Sequence, residues 1–110
     1  MKLVYFMRPE GFDGPVKIGC TKDLPGRLRS AACWSPFPLE VIATIEGDYD
    51  LEHRFHALFA ADHDRLEWFR WSNEMSAVVA AINAGNFDAE PLPPPQYIGL
   101  SKVMRQRLAA

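Results

Sequence analysis

The chain has 110 residues, enough for one domain with a modest core and too few for two. Hydrophobic residues make up 48% and charged residues 24%, and a formal net charge of −2 excludes a protein that coats nucleic acid by bulk charge alone. No apolar run approaches the roughly 20 residues that cross a bilayer, and Met1-Lys2-Leu3 leads straight into a strand pattern and not a secretion signal, so a cytoplasmic protein with no membrane partner is expected.

Leu3 to Met7 is a β-prone run with Leu3, Tyr5 and Met7 on one face and Val4 and Phe6 on the other. Pro15 to Cys20 is a second, and the intervening "RPEGFDG", with Pro9, Gly11 and Gly14, makes the pair a hairpin with a longer loop. In the second run Val16 and Ile18 point one way while Lys17 and Gly19 point the other, which puts a cation beside a bare glycine on one strand face. "TKDLPGRLRSAAC" reads as a helix capped by Asp23 or Thr21, with Pro25 in its first turn, an apolar stripe of Leu24, Leu28, Ala31 and Ala32, and Arg27 on its polar flank. "LEVIATIE", residues 39 to 46, is rich in β-branched residues and predicts a third strand.

Asp48 or Asp50 then caps an amphipathic helix of about three turns, because Leu51, Phe55, Leu58 and Phe59 fall at i, i+4, i+7 and i+8. Glu52 sits at the edge of that stripe, with His56 one turn further on. After "RLEWFRW" a further helix begins near Ser72, packs through Met75, Val78, Val79 and Ile82, and stops at Gly85. Residues 1–86 therefore read as the domain, and 87–110 as a proline-rich exit followed by "QYIGLSKVMRQRLAA", a tail that forms a short basic helix or is disordered.

Charge is uneven along the chain. Lys2, Arg8, Lys17, Lys22, Arg27 and Arg29 outnumber Glu10, Asp13 and Asp23 in the first 30 residues, so a polyanion is expected to meet this third, and also the basic tail with Lys102, Arg105 and Arg107. Cys20 and Cys33 lack a CxxC spacing, which indicates ordinary thiols and neither a zinc site nor a redox pair.

The order of pieces, a strand with "VYF", a turn, a strand ending "KIG", a helix with an arginine, a strand and a helix with a glutamate, resembles the GIY-YIG endonuclease superfamily. More narrowly, "VKIGCTKDLPGRLRS", "LEHRFHALF" and "EWF" resemble its compact phage and "meiotically up-regulated gene" branch, in which a lysine commonly replaces the second tyrosine of the name. The resemblance covers about residues 3 to 84; the literal "QYIG" at 96 to 99 follows three prolines and has no hairpin joining it to Tyr5, so it is a coincidence.

The resemblance implies an α+β fold, a small three-stranded antiparallel sheet flanked by helices, and hydrolysis of DNA phosphodiesters with one divalent metal, Mg2+ or Mn2+. It carries the metal over to Glu52, the first tyrosine to Tyr5, the helix arginine to Arg27 and the glycine of the second motif to Gly19, puts Lys17 in place of the second tyrosine, and matches His56 and Glu67 to positions typical of the branch; Tyr5, Lys17, Arg27 and His56 are then the expected catalytic residues, and Gly19, with Lys22 and Arg29 of the basic third, the expected substrate contacts. Valine at position 4 is a mild departure from isoleucine; Cys20 stands where an aromatic or polar residue is usual. The chemistry needs such groups: a carboxylate holds a hard cation, an arginine offers a bidentate fork to phosphate, a tyrosine positions or deprotonates the water, and a lysine gives charge or accepts a proton. The alternative is an inactive GIY-YIG-like module that holds DNA for a protein partner, which would also supply specificity.

Overall fold

Leu3–Pro9 and Val16–Thr21 form β1 and β2, an antiparallel pair in which Tyr5 faces Gly19 and Met7 faces Lys17. They belong to a computed structural model that describes residues 1–96. Helix α1 (Leu24–Trp34) follows at once, because the Asp23 side chain accepts from the Gly26 amide at 3.1 Å and Pro25 occupies a first-turn position where an N–H would have no helical acceptor anyway. A Cβ at Gly26 would lie 2.8 Å from the Asp23 carboxyl carbon and push the capping carboxylate aside. β3 (Leu39–Glu46) pairs with the other side of β1. Between Phe6 and Met7 the register shifts, leaving Ile42 as an extra residue on β3, and Asn83 donates to its carbonyl at 3.0 Å.

Helix α2 (Tyr49–Leu58) is capped by Asp48, and α3 (Asn73–Ala84) by Ser72, whose hydroxyl accepts from the Met75 amide. Gly85 ends α3 in the left-handed region at φ 76°, where a side chain would be strained. Strand alternation sorts the core into two layers. Val4, Phe6, Val16, Ile18 and Ala43 turn to one face and are covered by Phe55, Phe59, Met75, Val79 and Ile82. Tyr5 and Met7 turn to the other, beneath Leu24, Leu28 and Ala31 of α1. Each fully buried large apolar side chain contributes roughly 1.5–3 kcal/mol, and Phe6 meets Phe55 edge-on at 5.2 Å.

The class is α+β, but the expected three-stranded sheet is corrected to five strands: with β4 (His63–Arg65) and β5 (Trp68–Phe69) the order is β3-β1-β2-β5-β4. β4 and β5 form a hairpin whose second strand pairs with β2 through Val16 and Lys17. Strands of three and two residues are too short to show a period of two, and the polar "HDR" carries no β-branched residue that would mark it.

Residues 87–96, set apart from the domain by their prolines, pack against α2. Phe87 stacks on Phe55 at 5.5 Å, Arg54 donates to the carbonyls of Ala89 and Leu92 at 2.9 Å each, and the Gln96 amide donates to the His53 carbonyl at 3.1 Å. The basic tail, with its expected helix or disorder, and "YIG" at 97 to 99 lie outside the described residues. No described helix is long and apolar enough to cross a membrane.

Candidate functional site

The free edge of β2 organises the site. β5 pairs only with Val16 and Lys17, so beyond them the outward backbone groups of Ile18 and Cys20 need other partners. The Ile18 amide donates to the Glu67 carbonyl at 3.0 Å, and the Ile18 carbonyl accepts from His56 Nε2 at 2.9 Å. The Cys20 amide favours the charged form of Glu52 by hydrogen bonding to it. Glu52 and His56 stand one helical turn apart, about 6 Å along α2, which matches the two-residue step of about 6.6 Å along a strand. Helix α2 thus completes the strand edge with side chains, and this explains why Glu52 and His56 are 3% and 0% exposed.

Tyr5 and Lys17 share the α1-facing side of the sheet with Gly19. Burial, then the charge of Glu67, pushes the Tyr5 phenol up to about 12; Glu52 adds to this and Arg27 on α1 opposes it. Burial likewise pushes Glu52 up to about 7, reinforced by Glu67 and opposed by the Cys20 amide, Lys17 and Arg27. Glu67 owes its place to the β4–β5 turn, where Leu66 adopts the left-handed φ of 50°, and its carboxylate lies 4.0 Å from Lys17 Nζ. Leucine in that conformation costs roughly 1–2 kcal/mol, a strain located beside the site.

Tyr5, Lys17, Gly19, Arg27, Glu52 and Glu67 therefore act on one another around the end of β2. Arg29 is exposed and shares a shallow groove on α1 with Arg27 and Thr21. Lys22 is exposed in the turn before α1 and makes no hydrogen bond or ion pair to the cluster among the described residues. His56 meets an environment unlike that of a reacting group. It is wedged against Phe69 at 5.1 Å, and burial, with nearby His53 and His63 adding to it and the bond to Ile18 opposing it, lowers its imidazole to about 4. It is neutral at pH 7, and its Nε2–H donates to the Ile18 carbonyl. Cys20 is buried, and burial followed by Glu52 raises its thiol, which keeps it an inert packing residue.

Sequence reasoning missed His53. Its Nε2 lies 3.3 Å from Glu52 Oε2, a spacing that two ligands of one ion can keep. Glu52, His53 and His56 each bring a potential ligand atom within 4.8 Å of the others. These donors fit a divalent cation, because a nearly inaccessible carboxylate beside a second carboxylate is short of positive charge. The only signal was the adjacency in "LEHRFH".

The T5orf172 domain family matches residues 2–84, a span that runs from the start of β1 to the end of α3 and includes every residue of this cluster. No curated protein and no solved structure matches the chain. The chain belongs to the T5orf172 domain family.

Proposed function

We propose that the protein is a metal-dependent endonuclease that hydrolyses DNA phosphodiester bonds through a GIY-YIG-like site. The T5orf172 domain is associated with GIY-YIG-like endonucleases of phage, which supports a nuclease or DNA-binding role. The observation that carries the reading is Glu52: a carboxylate 3% exposed, placed at the open edge of β2 within electrostatic reach of Tyr5, Lys17 and Arg27. A glutamate that merely solvated a helix face would not be buried beside Glu67.

Glu52 would hold the metal with His53 beside it. A bound Mg2+ or Mn2+ would supply positive charge to the phosphate and ease formation of the attacking hydroxide. Arg27 presents a permanently charged fork to the non-bridging oxygens. Tyr5, held near 12, stays a neutral phenol at physiological pH; it donates a hydrogen bond that orients the water or a phosphoryl oxygen and is a poor base there. Lys17 adds charge on the same face, oriented by Glu67. Gly19 makes room for the Tyr5 ring, and His56 positions α2 against β2 without touching the phosphate.

Nicking of supercoiled plasmid in the presence of magnesium or manganese, lost on addition of a chelator, tests the reading. Binding of DNA with no nicking under any divalent metal would favour the inactive DNA-holding module.

A further inference from the structure

We propose that the cleft beside Lys17 receives an unpaired nucleotide of DNA, so that the substrate class is DNA with an unpaired base next to the scissile phosphate; this rests on the endonuclease reading. The cleft holds about 480 Å³ and is lined by Lys17, Trp34, Arg65, Leu66, Glu67 and Trp68. Trp34, the last residue of α1, is 54% exposed. Trp68 meets it in a T-shaped pair at 5.9 Å with the rings 85° apart, which holds Trp34 in place while half of it stays exposed. A large indole this exposed, and held by its neighbours, is a platform for another flat ring.

Charge identifies the ring. Lys17 Nζ lies 5.9 Å from the centre of the Trp34 indole, and Arg65 is exposed with no hydrogen bond or ion pair among the described residues. A cation over the indole and a second cation lining the same cleft complement a base with its phosphate and do not complement an apolar peptide. Lys17 and Glu67 belong both to this cleft and to the candidate site, so a nucleotide docked on Trp34 adjoins the phosphate undergoing attack. A base within an intact duplex has both faces covered by its neighbours and cannot stack on Trp34; an unpaired base can.

The test uses the full chain carrying Glu52→Gln, with two probes: a short duplex containing one unpaired 2-aminopurine, and the same duplex fully paired. The unpaired probe is expected to bind more tightly, with its fluorescence quenched on stacking. Trp34→Ala should weaken it about 5- to 100-fold and abolish the quenching, with little change for the paired probe, while Trp34→Phe retains most of both effects. Equal affinity for the two probes, or an unaltered Trp34→Ala protein, overturns this inference and leaves the endonuclease reading standing if the wild type nicks plasmid. Failure of both probes to bind, with no nicking by the wild type, overturns both. A concentration-dependent dimer that Trp34→Ala dissociates would give the face to a second copy of the chain and also overturn it.

Discussion

The ring of Tyr5 lies directly across Gly19: a Cβ at position 19 would fall 2.6 Å from Tyr5 Cζ, closer than real contacts allow. The pairing of β1 with β2 fixes both backbones, so the ring would have to give way. Gly19→Ala should therefore destabilise the fold by about 1–3 kcal/mol in urea denaturation. In the double variant with Tyr5→Ala the two costs should fall well short of adding, because the clash is gone. Full additivity would show that Tyr5 and Gly19 do not confront each other.

Glu52 gives a pH signature in metal-free protein. Its carboxyl is pushed from the ordinary 4.5 to about 7, so between these values the folded state binds more protons than the unfolded one and stability falls as pH rises through the window. Glu52→Gln lacks this slope. At pH 8 it should be more stable than wild type by up to about 3 kcal/mol, with the gap closing below pH 4.5. His56, lowered to about 4, slopes the opposite way, losing stability as pH falls below 6.5, and is common to both proteins. Chemical denaturation of the two proteins across pH checks the difference; a constant gap would refute the raised carboxyl.

Much of this arrangement was legible in the amino-acid order. The strand runs 3–7 and 15–20, the β-branched run 39–46 and the helical stripes declare themselves because each repeats its period several times, and Asp23, Asp48, Ser72 and Gly85 end their helices through local hydrogen bonds and φ angles. The β4–β5 hairpin did not: "EWF" fits a strand or a turn equally, and it is pairing of β5 with β2, and of β4 with β5, that makes them strands. The burial of His56 was also hidden, because its partner is a main-chain carbonyl 38 residues away. The role of Glu67 depends on a left-handed leucine, Leu66, a conformation that no residue type announces there.

Arg27→Lys retains a positive charge but not the planar fork. Plasmid nicking should fall by about 10²-fold, the usual scale for one lost transition-state donor, while DNA affinity in a gel shift changes by less. Wild-type nicking by Arg27→Ala would return the residue to the solvated face of α1.

Arg54 ties residues 89–93 to α2 through main-chain carbonyls. Arg54→Ala should cost about 1–3 kcal/mol in urea denaturation and open the 87–96 segment to limited proteolysis. An unchanged digestion pattern would show that Phe87 and Leu92 hold the segment without it.

Whether Glu52 holds the metal for phosphodiester cleavage is decided by plasmid nicking with folded Glu52→Gln beside wild type, in magnesium and in manganese. Glutamine keeps the size of the side chain and removes its charge. Wild type should nick with either metal, whereas Glu52→Gln should lose nicking with both and still shift DNA in a gel. Nicking by folded Glu52→Gln at the wild-type rate would contradict that role.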